Sequence, residues 1–236
     1  MTEAFVDLRG VRTWYGEAGG GPPLVMLHPG GVDSRAFAPN VGALAEHFHV
    51  WLPERRGHGR TPDTDGAYSY DLGADDTIQF LEQVVGGPAR LFGMSDGAIV
   101  ALHVARKRTE LVERLVFAGG VFHTEGWLPG VLVAPDEAHA SGFERKLYAM
   151  HTAGPRLTRD DLAPIRCRTL VMAGDDDEMP LEHTLELYRS LPNSELAVVP
   201  GTSHGFLVEK PHICNALLVD FLTRDPVRTF APIRRA

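Results

Sequence analysis

Short apolar runs alternate with amphipathic runs along most of the chain. The apolar runs are bounded by glycine, proline or polar residues, which is typical of short buried strands; they lie at 24–28, 49–54, 89–93, 112–120, 168–174 and 194–201. The amphipathic runs repeat apolar residues at helical spacing and predict helices over 36–48, 70–85, 95–107, 181–191 and 212–223. Ahead of them, residues 5–17 have the pattern of an opening hairpin.

This alternation predicts an α/β fold with a mostly parallel central sheet and helices on both of its faces. The alternation breaks at 121–162, a segment with three prolines. We expect this segment to be an insertion over one end of the sheet, with its best helix candidate at 135–153. The core would then comprise 1–120 and 163–224, and 225–236 would form a C-terminal tail.

Charge and composition narrow the range of possible binding partners. The 236 residues carry a formal net charge of −8, which does not favour nucleic acid or an anionic membrane surface. The first residues lack the pattern of a secretory signal, and every apolar run is shorter than the ~20 residues that span a bilayer. We therefore expect a cytoplasmic protein, with Cys167 and Cys214 as buried or free thiols. The sequence does not indicate the oligomeric state.

Polar stretches follow four predicted strands, at the carboxyl ends where open parallel sheets form their sites. They are HPGG, GMSDG, GDDDEM and GTSHGF, at 28–31, 93–97, 174–179 and 201–206. GMSDG matches the G-x-S-x-G nucleophile elbow, in which a strained strand-to-helix turn exposes the serine and the two glycines relieve crowding. The competing interpretation is that Ser95 only caps the following helix.

The chain resembles the α/β-hydrolase superfamily from residue 11 to residue 222. The resemblance is carried by LVMLHPGG, PERRGHGRT, GMSDGA, GDDDEMP and GTSHGF, in the order in which that superfamily has them. It implies the α/β-hydrolase fold of the serine-nucleophile branch, with 121–162 as a short helical cap. It also implies the chain order Ser…Asp…His, in which Ser95 is the nucleophile, Asp177 the orienting acid and His204 the general base.

Three adjacent aspartates, at 175–177, are candidates for the acid of the triad, and the family motif is what distinguishes them. The family pattern Gly-Asp-x-Asp assigns the triad role to Asp177, and Asp175 would then be a turn residue that accepts hydrogen bonds from backbone amides. A metal loop is the alternative, although the run lacks the ligand spacing of a calcium loop. We expect no metal and no organic cofactor. A dinucleotide in particular has no support, since no G-x-G-x-x-G follows an early strand.

An oxyanion hole needs two backbone N–H groups that point at the developing charge. One is expected from Asp96, the residue after the nucleophile. By resemblance the other comes from Gly30. Pro29 has no N–H and cannot donate, and Gly31 is the alternative donor.

The side chain of Asp96 has two interpretations. Some amino-acid-ester hydrolases of this superfamily share the Ser-Asp-Gly run, and there the carboxylate can meet a substrate ammonium. Alternatively, the negative charge only stabilises the helix N-terminus.

The cap is expected to exclude water and to shape the substrate pocket. Candidate pocket residues are Gly31, Asp96, Phe122 and Trp127, and further apolar candidates are Leu128, Val131, Leu132, Phe143, Leu147 and Tyr148. The histidines of the cap are expected to face solvent, with lining the pocket as the alternative; they are His123, His139 and His151. Outside the cap, the resemblance assigns packing and hydrogen bonding to His28 and His58.

These features predict a serine hydrolase that cleaves a carboxylic ester, lactone or thioester of a small molecule through an acyl-enzyme. A C–C bond hydrolase acting on a ring-cleavage product would need the same triad and is the nearest alternative. A ligand receptor that keeps the fold without turnover is a second alternative. Ser95 argues against dehalogenases and epoxide hydrolases of this fold, which need an aspartate nucleophile.

Overall fold

An eight-stranded sheet forms the centre of the protein in a computed structural model that describes residues 1–231. Its spatial order is β1-β2-β4-β3-β5-β6-β7-β8. The strands are β1 (Thr2–Leu8), β2 (Val11–Gly19), β3 (Pro23–Leu27), β4 (His49–Pro53), β5 (Ala89–Met94), β6 (Val112–Ala118), β7 (Arg168–Gly174) and β8 (Ser194–Val199). The pairs β1–β2 and β2–β4 are antiparallel, and every other pair is parallel. The predicted hairpin and the mostly parallel sheet are confirmed.

Helices cover both faces of this sheet. They are α1 (Ala38–Ala45), α2 (Tyr70–Phe80), α3 (Asp96–Lys107), α4 (Gly142–Ala153), α5 (Arg159–Leu162), α6 (Leu181–Ser190), α7 (Phe206–Glu209) and α8 (Pro211–Thr223). One core lies between the sheet and α2, α3 and α6, and the other lies between the sheet and α1, α7 and α8. The α/β fold class predicted from the sequence is therefore confirmed.

The central strands are apolar throughout because both faces of the sheet are covered. In β3, Val25 and Leu27 belong to one core while Leu24 and Met26 belong to the other, and all four are buried. Successive side chains of a strand point to opposite faces, so a continuous apolar run is what a strand with two covered faces needs.

The segment between β6 and β7 contains the predicted cap and has one long helix, α4. The expected helix at 135–153 begins later, at Gly142. The delay has a local cause: Ser141 accepts a hydrogen bond from the Glu144 N–H, and the Glu144 carboxylate accepts one from the Ser141 N–H. This capping box fixes the start of the helix.

Two other expectations concern the ends of helices and the tail. The predicted helix 70–85 is α-helical only to Phe80 and continues as a π-helical turn, Leu81–Val85, before Gly86 turns the chain at a φ of 84°. Within the predicted tail 225–236, residues 232–236 lie outside the described residues.

Across residues 1–231, none of the helices is both long and apolar enough to cross a membrane. Cys167 and Cys214 are free thiols, as expected.

Candidate active site

Ser95 sits in the turn that joins β5 to α3. Its backbone has φ 55° and ψ −122°, and its N–H donates to the Ala118 carbonyl at 2.8 Å. A non-glycine residue with positive φ is strained, and the surrounding structure must hold it in that conformation. Such strained residues are often found at functional sites. The side chain of Ser95 makes no capping hydrogen bond to α3, which argues against the interpretation that this serine only caps the helix.

The two glycines of GMSDG allow the helix to approach the sheet closely. A Cβ at Gly93 would overlap the Gly97 carbonyl oxygen, and a Cβ at Gly97 would overlap the Leu27 carbonyl oxygen. Both obstacles are backbone atoms and cannot rotate away, so the turn requires glycine at both positions.

We expect Gly97→Ala to lower the free energy of unfolding by about 3 kcal/mol, because α3 must move away from β3 to make room. Gly42→Ala is the matched control: Gly42 lies exposed in α1 with open space at its Cβ position. That change should stabilise the protein by about 0.5–1 kcal/mol through helix propensity. Urea unfolding measures both. Equal effects of the two changes would show that the close approach at Gly97 is not needed.

A hydrogen-bonded chain links Ser95, His204 and Asp177. His204 Nε2 lies 3.1 Å from Ser95 Oγ, and His204 Nδ1 lies 2.7 Å from Asp177 Oδ1. Asp177 is buried, and its carboxylate also accepts the backbone N–H groups of Gly174 and Glu178 at 3.1 and 2.7 Å. A carboxylate acceptor keeps the proton of a neutral imidazole on Nδ1, which leaves Nε2 free to accept the serine proton.

The two aspartates that precede Asp177 lie at the surface and not beside His204. Asp175 is exposed and its Oδ1 accepts the Thr202 N–H at 2.9 Å, the backbone contact expected of a turn residue. Asp176 is also exposed. As far as the structure describes the chain, no group of three or more His, Cys, Asp or Glu side chains is arranged to hold a metal ion.

The environment of His204 affects its basicity. Burial lowers the pKa of His204, but the hydrogen bond and charge of Asp177 outweigh burial, with smaller contributions from Glu178 and Asp96. The pKa of His204 therefore lies above its ordinary value of 6.5. Stabilising the protonated imidazole in this way suits a general base that must carry a proton between two steps.

Hydrogen bonds with Arg55 and His58 fix the position of the loop 28–31, which follows β3. The Arg55 guanidinium donates to the carbonyls of His28 and Pro29 at 2.8 and 2.9 Å, and the Arg55 N–H donates to His28 Nε2 at 3.0 Å. His58 Nε2 accepts the Gly31 N–H at 3.2 Å. The alternative oxyanion donor Gly31 thus has its N–H already engaged.

His28 and His58 are neutral acceptors in this network. Burial, with the nearby charge of Arg55, lowers the pKa of His58 to about 4 and places that of His28 well below its ordinary value. The hydrogen-bonding role expected for both histidines is what the structure shows.

Asp96 connects the turn at Ser95 to helix α4. Its carboxylate is buried and accepts hydrogen bonds from the Tyr70 hydroxyl at 3.0 Å and from His151 Nε2 at 2.9 and 3.0 Å. Burial would raise the pKa of Asp96, but His151, with the charge of Arg55, outweighs it and holds the pKa below its ordinary value. Asp96 is therefore an ionised carboxylate whose hydrogen-bond partners, Tyr70 and His151, are supplied by the protein itself.

His151 does not face solvent as expected but takes the alternative position, in the wall of the pocket. Helix α4 lies over the elbow, and the His151 side chain is only 19% exposed. The prediction failed because the helix position alone does not reveal which surface α4 packs against. His139, in contrast, is exposed as expected.

A cavity of about 400 Å³ opens above Ser95. Its walls combine a few polar groups with mostly apolar side chains; they are formed by Pro29, Gly30, Val32, Ala36, Phe37, Met94, Ser95, Asp96, Trp127, Val131, Leu132, His151, Glu178, His204, Gly205, Leu207 and Val208. A concave, largely apolar cavity with a few convergent polar groups is typical of a small-molecule site.

Two of the residues proposed to contact substrate are placed elsewhere. Phe122 is buried outside the cavity wall, where its ring stacks on His183 at 4.4 Å and its N–H donates to His183 Nε2. Gly31 is also absent from the wall, whereas Trp127 contributes to it as expected. Phe122 therefore packs against His183 and is not placed to line this cavity.

Sequence reasoning assigned no role at the cavity to three residues around it. Glu178 forms part of the cavity wall, and Arg55 and Tyr70 hold groups next to it. Two of the three have a local signal: Arg55 stands in RRGHG just after β4, and Glu178 stands in GDDDEM after β7. The position of Tyr70 depends on how distant segments pack.

Comparison with known proteins identifies the class of protein that this fold and site define. The model of the alpha/beta hydrolase family matches residues 24–150. That match covers more than half of the chain, so the chain belongs to the alpha/beta hydrolase family.

Individual relatives are similar over nearly their whole length. The human protein named serine hydrolase BPHL is 24% identical, over 94% of this chain and 87% of the relative. The 2-hydroxy-6-oxo-6-(2'-aminophenyl)hexa-2,4-dienoic acid hydrolase of Metapseudomonas resinovorans is 25% identical, over 94% and 91%. Among solved structures, the enol-lactonase from Burkholderia xenovorans LB400 superposes with a TM-score of 0.83 at 20% identity, covering 94% of this chain and all of that one. The proteins compared are hydrolases, and the structural likeness supports the fold.

Proposed function

We propose that the protein is a serine hydrolase that cleaves a carboxylic ester, or a lactone or thioester, of a small molecule through an acyl-enzyme. The observation that carries the proposal is the hydrogen-bonded chain from Asp177 through His204 to Ser95, which ends on a strained elbow at the floor of a cavity. The named relatives, a serine hydrolase and an enol-lactonase among them, support the same class of reaction.

The reaction follows from this geometry. Ser95 Oγ attacks the substrate carbonyl carbon while His204 Nε2 takes the serine proton. The tetrahedral intermediate collapses, the bond to the leaving oxygen breaks, and His204 returns its proton to that oxygen. Water then attacks the acyl-enzyme with His204 again as base, which releases the acid and restores the Ser95 hydroxyl.

The developing oxyanion would be held by the backbone N–H groups of Asp96 and Gly30. Asp96 is the first residue of α3, so its N–H has no acceptor within its own helix. Gly30 lies in the wall of the same cavity, and the N–H of Gly31 already serves His58. Two donors and the helix N-terminus together favour negative charge at this point.

We assign the Asp96 carboxylate to holding the cap rather than to binding a substrate ammonium. It is 1% exposed and already accepts from Tyr70 and His151. A Cβ at Gly30 would overlap this carboxylate, so the charge lies close to the expected oxyanion. The partners on Asp96 offset a charge that would otherwise oppose the transition state.

The C–C bond hydrolase is the second candidate, and the dienoic acid hydrolase among the relatives favours it. Its substrate carries a carboxylate. In the described part of the chain, the cavity wall contains Asp96 and Glu178 but neither lysine nor arginine. The wall therefore favours an ester without a carboxylate over a dienoate.

The proposal is tested by the release of p-nitrophenol from acetate, butyrate and octanoate esters by the wild type and by Ser95→Ala. Turnover that is lost in the variant supports the proposal, and the order of the three esters measures the apolar reach of the cavity. Activity that survives the substitution would overturn it. A folded wild type that cleaves only a dienoate would indicate the C–C hydrolase, and one that binds but does not turn over would indicate a receptor.

The acidic limb of the pH profile should lie above the ordinary histidine range. His204 must be neutral to act as a base, and its pKa in the folded protein is raised above 6.5. For a neutral ester, kcat/KM is therefore expected to rise with pH through a midpoint above 6.5. A midpoint well below that value would mean that Asp177 does not stabilise protonated His204.

A further inference from the structure

Two carboxylates reach the wall of the cavity, and their surroundings differ. Asp96 is buried and accepts hydrogen bonds from Tyr70 and His151. The Glu178 side chain is 47% exposed, and among residues 1–231 its carboxylate has one titratable partner at ion-pair distance, His204 Nε2 at 3.7 Å, a contact that is ionic when His204 is protonated. Neither carboxylate has a lysine or arginine ion-pair partner within the described residues, but Asp96 is buried and hydrogen-bonded, whereas the charge of Glu178 is open to a ligand.

The backbone around Glu178 is fixed on both sides. Its N–H donates to Asp177 Oδ1 at 2.7 Å, and its carbonyl accepts the Leu128 N–H from the cap at 3.1 Å. The next residue, Met179, is buried. Only rotation about the Glu178 side-chain bonds can therefore move this carboxylate, which contributes to the cavity wall in the structure.

The contact atom identifies which part of the substrate this charge faces. His204 Nε2 returns the proton to the leaving oxygen, so the leaving group must lie next to Nε2 in the transition state. A carboxylate 3.7 Å from Nε2 therefore lies beside the leaving group.

We propose that Glu178 is a specificity-determining residue that favours esters whose alcohol part carries a positive charge and disfavours those whose alcohol part carries a negative one. This inference rests on the proposed serine hydrolase function. Because Glu178 is about half exposed, water and salt screen its charge, and we expect a preference of about fivefold rather than of several hundredfold.

The test compares two butyrate esters of nearly equal shape, the choline ester and the 3,3-dimethylbutyl ester, in which carbon replaces the quaternary nitrogen. The readout is the ratio of their kcat/KM values within each variant, so that a general change in activity cancels. We expect the wild type to favour the choline ester and Glu178→Gln to lower the ratio by about fivefold at low salt. Glu137→Gln, which removes the same charge from an exposed cap residue, should leave the ratio unchanged.

A second readout separates a charge effect from a change of shape. The charge of Glu178 helps to raise the pKa of His204, together with Asp177 and Asp96, while burial opposes them. Glu178→Gln should therefore move the acidic limb of kcat/KM to lower pH, which a purely steric role would not do.

The outcomes distinguish this inference from the proposed function. A ratio that is equal in wild type and Glu178→Gln, or that Glu137→Gln lowers as strongly, overturns the role of Glu178 while leaving the hydrolase in place. Wild-type protein that releases p-nitrophenol from none of its esters, or a Ser95→Ala variant that still cleaves both butyrate esters, overturns the proposed function and this inference with it.

Discussion

Replacing Ser95 with alanine is expected to lower kcat for p-nitrophenyl butyrate by about 10⁴-fold or more, because no acyl-enzyme can then form. The hydroxyl is the group that His204 Nε2 contacts at 3.1 Å, and it opens onto the cavity. Steady-state kinetics at saturating ester measures the loss. Alanine keeps the Cβ and hence the backbone strain at φ 55°, so the thermal unfolding midpoint should change little.

Ser95→Gly is the matched variant for this experiment. Glycine adopts positive φ without strain, so this change should be as inactive as alanine yet stabilise the fold by about 1 kcal/mol. Together the two variants separate the chemistry of the hydroxyl from the conformation of the elbow. Retention of more than a tenth of the activity in either would mean that a different residue attacks the substrate.

Asp177→Asn is expected to lower kcat by about 10⁴-fold, the effect seen when a triad acid no longer holds its histidine in the required tautomer. An amide that donates toward Nδ1 would force the proton onto Nε2, which then could not accept the serine proton. The buried carboxylate at 2.7 Å from His204 Nδ1 makes Asp177 the residue concerned. Kinetics with the same butyrate ester measures the loss.

The adjacent aspartate provides the control. Asp176→Asn changes the same functional group one residue away, on an exposed side chain, and should leave kcat within about twofold because surface substitutions have small effects. Equal losses in the two variants would indicate that the acidic run acts through its summed charge. A small loss at Asp177 would remove the acid from the proposed triad.

The fold could be predicted because its determinants are local and repeated. Strands such as β3 are apolar on both faces, and the helices between them carry one apolar face, so period and punctuation alone indicate a covered parallel sheet. The three residues predicted as a triad stand in short motifs directly after β5, β7 and β8, and the structure brings them within hydrogen-bond distance.

The residues that the sequence did not reveal depend on contacts between distant segments. His151 reaches Asp96 across 55 positions and Tyr70 reaches it across 26, and neither stands in a recognisable motif. A helix such as α4 shows its polar and apolar faces in sequence but not the surface on which it packs. In the same way, the sequence around Phe122 does not show that this residue packs on His183 rather than facing the cavity.

Covalent labelling with a fluorophosphonate tests the central claim most directly, because this reagent reacts with an activated serine and needs no knowledge of the natural substrate. Intact-protein mass spectrometry followed by peptide mapping locates the adduct. We expect one adduct on Ser95 in the wild type, none in Ser95→Ala, and much slower labelling in His204→Ala. An adduct on another residue, or equal labelling of wild type and Ser95→Ala, would show that Ser95 is not the nucleophile.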